Sequence, residues 1–256
     1  MKSFLIGALM CCIASGLVAN ESFAGAIDEI RNAAARGDAG AQTDLGFAYA
    51  SGRGVPRDYV RAAEWYRKAA EQGFAVAQTN LGYAYANGQG VRLDAKQAAF
   101  WFRKAAEQGY ASAQANLGAM YIAGQGVPRN PKQAELWLRK AAEQGNVTAQ
   151  YNLGSLYSEV RGALQDFNEA ARWLRRAADQ GDADAQGTLG VLYVNGAGVA
   201  KDYAQAYFWL DLAAARGNAS AAATRDRVAA YLKPQQIAEI RGRVGEWKPK
   251  IETAAQ

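Results

Sequence analysis

The apolar positions of this chain follow a helical rhythm that restarts every 36 residues, five times over. In the first period the segment AQTDLGFAYAS places Ala41, Leu45, Ala48 and Tyr49 on one stripe, the spacing of a helix with one buried face. Gly52 and Gly54 then interrupt the pattern, and the pair returns as Gly88 and Gly90, Gly124 and Gly126, and Gly196 and Gly198. Glycine enters the left-handed region without steric cost, so each pair predicts a helix end and a tight turn, with Val55 tucked beneath the first. A second helix is predicted beyond each turn. Asp58, Asp94, Asn130, Asp166 and Asp202 stand at its N-cap, and Pro131 follows Asn130 at the first helical position, where proline is favoured. This helix carries Ala62, Trp65, Tyr66, Ala69 and Ala70. Its alanines permit close approach, and the tryptophan, recurring as Trp101, Trp137, Trp173 and Trp209, is expected to fill the gap beside them.

Two further series fix the register. Leu45-Gly46 recurs as Leu81-Gly82, Leu117-Gly118, Leu153-Gly154 and Leu189-Gly190, while Gly73, Gly109, Gly145, Gly181 and Gly217 close the units. A glycine inside a helix costs roughly 1 kcal/mol relative to alanine, so its return in every unit predicts close contact with the partner helix. Arg67 and Glu71, Arg103 and Glu107, and Arg139 and Glu143 lie four apart and are expected to form weak ion pairs on a solvated face. The fourth unit departs from the pattern, with Val160 in place of the first turn glycine and Ala163 in place of the turn valine, which predicts a distorted turn. A fixed period of this size implies stacked units rather than a single closed core.

The ends differ from the units. Residues 1–24 are expected to be a signal peptide: Lys2 supplies the positive start, Phe4 to Val18 the apolar stretch, and cleavage is expected after Ala24, with Ala19 as an alternative. An uncleaved anchor is the competing reading, disfavoured because the apolar stretch is too short to span a bilayer comfortably. Residues 25–38 are expected to hold a capping helix, Ala26 to Arg36, and residues 218–256 two more. The last carries Ile237, Ile240, Val244, Trp247 and Ile251 at alternating spacings of three and four. Such a stripe suits either a coiled-coil seam or a cap folded onto the final unit, and Gly242 and Gly245 weaken a free helix there.

Composition narrows the chemistry. The chain has no histidine, and both cysteines, Cys11 and Cys12, fall within the expected signal. The remainder therefore offers no thiol nucleophile, no imidazole base and no sulfur or imidazole for zinc, and no catalytic, cofactor or metal site is expected. The net charge of +5 is spread through mixed pairs rather than gathered into the stripe that binds nucleic acid. The G-x-G-V turns lack the strand and third glycine of a dinucleotide loop. Asp182 and Asp184 read as helix-start acids.

The pattern A-x-A-Q-x-x-L-G-x-x-Y-x-x-G-x-G-V-x-x-D-x-x-x-A-x-x-W-x-x-K/R-A-A-E-Q-G resembles the Sel-one-like repeat family, relatives of the tetratricopeptide repeats, over residues 39–217. The resemblance implies an all-α fold, an α/α solenoid winding as a right-handed superhelix of five helix-turn-helix repeats with terminal capping helices. It also implies an adaptor, scaffold or regulator in the bacterial envelope, periplasmic or secreted. A monomer with a protein or peptide partner is expected, with no nucleic acid and no membrane span after signal cleavage. Some members of that family carry disulfides within each repeat, which this chain cannot form.

The candidate site lies on the first helices. Asn80, Asn116 and Asn152 each precede the Leu-Gly pair, with Asp44 and Thr188 at the same place in the outer units. In tetratricopeptide domains, which these repeats resemble, an asparagine there often holds a peptide backbone; an amide both donates and accepts. The competing expectation is that each asparagine bonds a neighbouring helix and shapes the stack. One turn along lie Phe47, Tyr83, Ala119, Ser155 and Val191, and one turn back Thr43, Thr79, Ala115, Tyr151 and Gly187. If the first helices line a concave side, Phe47, Tyr83 and Tyr151 rim a groove suited to an extended peptide or a partner helix. The rival functions are an enzyme acting on cell-wall peptides or β-lactams, and a purely structural spacer.

Overall fold

Thirteen α-helices and no strand make up the described residues of the computed structural model, which covers residues 18–159 and 162–250, with side chains from residue 27. Helix α1 (Val18–Ala35) precedes ten helices, two to each 36-residue period: α2 (Ala39–Ser51) and α3 (Tyr59–Glu71), α4 (Ala75–Asn87) and α5 (Ala95–Glu107), α6 (Ala111–Ala123) and α7 (Pro131–Glu143), α8 (Val147–Ser158) and α9 (Phe167–Asp179), and α10 (Ala183–Asn195) and α11 (Tyr203–Ala215). Helices α12 (Ala219–Ala229) and α13 (Pro234–Glu246) follow. The architecture is an all-α helical repeat solenoid. The chain divides into two compact units, residues 1–93 and 94–256. In the first, α1 packs on α2, α2 on α3 and α3 on α4; in the second, consecutive helices pack from α5 to α12, and α13 returns onto α11.

Local chemistry sets the boundaries. Asp58, Asp94, Asn130, Asp166 and Asp202 each cap a second helix by accepting from backbone N–H groups of its first turn. Gly52, Gly88, Gly124 and Gly196 end the first helices in the left-handed conformation, each N–H donating four residues back. The second turn glycine answers a different need. A Cβ on Gly90 would lie 1.8 Å from the carbonyl oxygen of Tyr59, and one on Gly126 would lie 2.0 Å from that of Ala95. Each of these turns rests on the start of the preceding second helix, where only glycine fits.

The mid-helix glycines are also contact points, but not with the tryptophans. A Cβ on Gly46 would come within 2.6 Å of Tyr66, and one on Gly118, Gly154 or Gly190 within 2.6 Å of Leu138, Leu174 or Leu210. Tyr66, Leu138, Leu174 and Leu210, each the residue after a tryptophan, fill these gaps, because they point at the glycine while the indole is turned about 100° away. Trp65, Trp101 and Trp137 are half-buried, whereas Trp173 and Trp209 are buried as expected. Leu45, Ala48 and Tyr49 of the expected first-helix stripe are buried, as are Ala77, Ala113, Ala149 and Ala185 at the place of Ala41. Ala41 is half-buried, while Gln42 is buried beside Leu45, Ala48 and Tyr49.

In the fourth repeat α8 stops at Ser158 and passes through an extended Glu159, φ −61° and ψ 111°, instead of a left-handed glycine. Ala163 is exposed where Val55 is buried. Val160 lies outside the described residues, as do residues 1–17 with both cysteines, and Ile251. Helix α1 continues unbroken through Ala24, the expected cleavage point, and buries Ile27 and Ala34. At the other end, Ile240 of α13 is buried and Arg243 lies 4.9 Å from the centre of the Phe208 ring on α11. The backbone N–H of Lys250 then donates to Asp179 O at 2.8 Å.

Candidate interaction surface

Two hydrogen-bonded seams hold the first helices in place. The first is made of buried glutamines. Gln42, Gln114, Gln150 and Gln186 each donate Nε2 to an alanine carbonyl eight residues earlier, at 3.1 to 3.2 Å. Their Oε1 atoms accept from a second glutamine thirty residues on: Gln72 to Gln42, Gln144 to Gln114 and Gln180 to Gln150, each at 2.8 Å. A buried amide satisfied on both sides fixes register in a way apolar contacts do not. The seam ends at the last repeat, where Arg216 replaces the second glutamine and Gln186 Oε1 is buried without a hydrogen-bond partner among the described residues. Arg216 instead lies 4.8 Å from the centre of the Trp247 ring.

The second seam pairs arginines with tyrosines of the next repeat. Arg67 donates to Tyr85 at 3.0 Å, Arg103 to Tyr121 at 2.8 Å, and Arg175 to Tyr193. Arg139 adds the half-buried carboxylates of Glu135 and Glu169 to its bond with Tyr157. The expected pairs with Glu71, Glu107 and Glu143 are not what these guanidiniums make, and the Glu that Arg139 does pair with on its own helix, Glu135, lies four residues earlier. The phenol eighteen residues on is nearer and fixed by packing, whereas Glu71, Glu107 and Glu143 are exposed at the helix ends.

Against this frame the first helices of residues 1–93 present a groove of about 200 Å³, lined chiefly by Phe47, Tyr59, Tyr66, Asn80, Tyr83 and Gln89. Phe47 is 50% exposed and Tyr83 39%. Arg53 and Arg57 place their guanidiniums 5.8 and 5.7 Å from the ring centres of Phe47 and Tyr59, so cations border an apolar surface. Three candidate residues, Phe47, Asn80 and Tyr83, are thus brought together. Tyr151 belongs to a separate groove of about 310 Å³ with Asp184, Gly187, Thr188, Val191 and Asn218. Asp184 there accepts from Asn218 at 2.9 Å.

The remaining candidates line neither groove. Asn116 donates to the Ser112 carbonyl of its own helix at 2.7 Å, and Asn152 is half-buried on α8. Asp44 is half-buried on α2, and its carboxyl is pushed above the usual range, first by burial and then by the charge of Asp38. Asp182 is also pushed up by burial, although it caps α10 through Ala185 N at 2.7 Å. Among the described residues no cluster of acidic groups has the arrangement of a metal site, and no helix is long and apolar enough to cross a membrane. The glutamine seam was not anticipated from the sequence. Its signal was present: a glutamine directly after an alanine at the same place in every repeat, with a glutamine thirty places on in the first four.

A family model described as Sel1 repeat matches residues 39–74, 75–110, 111–146, 147–182 and 183–218. Repeats of this kind are generally protein-interaction scaffolds and not typically enzymes. Among solved structures, a Sel1 repeat protein from Oxalobacter formigenes is 31% identical, with 91% of this chain and 97% of that one covered and a TM-score of 0.74. A protein described as a sel1 repeat protein from Klebsiella pneumoniae is 24% identical over 79% of this chain and 99% of its own, with a TM-score of 0.51. The comparison with curated proteins finds no match. Five consecutive matches spanning most of the chain, on a backbone of paired helices held by repeating seams, establish that the chain belongs to the Sel1 repeat family.

Proposed function

We propose that this chain is a non-catalytic scaffold or regulatory adaptor of the bacterial envelope, binding a peptide or partner protein along the surface of its first helices. The observation that carries this reading is the groove of α2 and α4. Large aromatic side chains stand exposed there beside Asn80, whose amide has no side-chain partner among the described residues. Natural surfaces rarely leave grouped aromatics open unless something covers them. Asn116 and Asn152 hold the same place in their own repeats as Asn80 and are tested beside it. Export to the periplasm or beyond rests on Lys2 and the apolar stretch Phe4 to Val18. The enzymatic alternative, acting on cell-wall peptides or β-lactams, has neither histidine nor mature cysteine to draw on.

The test is a crosslinked pull-down from envelope extracts, followed by titration of the captured protein against wild type and an Asn80→Ala/Asn116→Ala/Asn152→Ala variant. Each lost hydrogen bond is worth about 0.5–1.5 kcal/mol, so affinity should fall by one to three orders of magnitude with little change in melting temperature. Unchanged affinity with a lowered melting point would make the asparagines structural.

A further inference from the structure

The second helices of the second and third repeats carry a pattern that the groove does not use. Lys96, Phe100 and Lys104 lie four apart on α5, and Lys132, Leu136 and Lys140 lie at the same places on α7. Residues four apart share one helix face, so each helix presents a lysine-apolar-lysine stripe. Phe100 is 47% exposed and Leu136 45%, and all four lysines are exposed. Phe100 meets Trp101 edge-on at 5.0 Å, and the ammonium of Lys104 lies 5.2 Å from its ring centre. Lys140 lies 4.8 Å from the ring centre of Trp137. The carboxylate nearest Leu136 in sequence, Glu135, is committed to Arg139 and Tyr157.

The molecule shows what covers this register. The counterpart of Phe100 and Leu136 in the last repeat is Phe208, only 6% exposed because α13 packs on α11. Helix α13 is amphipathic, seating Ile240 and laying Arg243 over the Phe208 ring. The stripe beneath it, Ala204, Phe208 and Leu212, has no lysine. That difference selects the occupant elsewhere. Helix α13 itself balances Arg241 and Arg243 against Glu239 and Glu246, and Lys233, Lys248 and Lys250 flank it, so a second copy's C-terminal segment would bring no net negative charge to the lysines of α5 and α7. We propose that the outer face of α5 and α7 docks an amphipathic helix of a partner protein, with an apolar stripe on Phe100 and Leu136 and acidic flanks on Lys96, Lys104, Lys132 and Lys140.

The experiment uses the full chain and a fluorescein-labelled, hydrocarbon-stapled peptide of about four helical turns, with a leucine stripe flanked by glutamates. A second peptide carries lysines in place of the glutamates. The acidic peptide should saturate in fluorescence anisotropy, weaken about tenfold or more from low to high salt, and bind at least about tenfold better than the lysine peptide. Phe100→Ser/Leu136→Ser should lose that binding, and so should the fourfold Lys→Gln variant, which keeps the apolar contacts and guards against a folding artefact. Phe47→Ser, in the groove of α2 and α4, should leave it unchanged, so failure here is distinct from failure of the groove. Equal binding of the two peptides, binding retained in both variants, or no saturation would overturn the proposal. Co-sedimentation with phosphatidylglycerol vesicles that both variants abolish, without peptide binding, would also overturn it in favour of a lipid surface.

Discussion

Gln150 is fully buried, and its amide joins the end of one repeat to the two helices of the next. Replacing it by leucine keeps the volume but removes one of the bonds of the Ala142 carbonyl, which keeps Gly145 N–H, and one of those of the Gln180 amide, which keeps the Gly145 carbonyl. The two lost bonds should cost about 1–3 kcal/mol in a urea titration. A loss near zero would mean water takes over both partners. Gly118→Val is a steric counterpart. Its Cβ would lie 2.6 Å from Leu138 Cγ and 3.3 Å from the Ala134 carbonyl, and one of those atoms belongs to rigid backbone. A cost of about 2–4 kcal/mol is expected in the same assay, from overpacking and lost helix propensity together. Asp44→Asn should act in the opposite direction. It restores the residue of the next three repeats and removes a carboxylate whose pKa burial raises. A group raised in the folded state stabilises below its unfolded value of 3.8 and loses that contribution as pH climbs through the raised one. The variant should therefore melt higher at pH 7, with the gain closing as pH falls towards the ordinary carboxylate range. A gain that persists undiminished in acid would point to a different cause.

At the scale of elements, glycines and capping carboxylates made the helix pairs legible. Asp58, Asp94 and Asp202 cap the helices that their positions implied, since a capping oxygen acts within three residues and needs no tertiary partner. What the pattern did not reveal was which of two adjacent apolar residues faces inward. Trp65 and Tyr66 are both compatible with a buried stripe, and only the bare backbone of Gly46 opposite decides for Tyr66. The arginines were misread for a related reason. Their partners are eighteen residues away, across a repeat boundary, where helical spacing carries no information. The C-terminal helix offers a direct test of packing between elements. Ile240→Ala removes the buried anchor of α13 and should cost about 2–4 kcal/mol, with faster amide exchange in α11 and α13. Unchanged exchange in α11 would show that α13 rests there without contributing to stability.

At the scale of the molecule, the period of 36 residues was sufficient to read the fold, because a solenoid repeats one packing problem and each solution is visible several times over. The binding surface is less repetitive and was read less completely. Phe47, Asn80 and Tyr83 converge on one groove, Tyr151 lines another, and Asp44, Asn116 and Asn152 line neither. A ladder inferred from register treats every repeat alike, whereas Arg53 and the large aromatics make the groove of α2 and α4 particular to its own repeats. The claim that this chain works by recognition therefore rests most directly on that groove. The decisive measurement is a calorimetric titration of the partner captured from envelope extracts against wild type and a Phe47→Ser/Tyr83→Ser variant, with a thermal melt of each. The account predicts at least about tenfold weaker binding, roughly 1.4 kcal/mol or more, at an unchanged melting temperature. Equal affinity for the two proteins would contradict it.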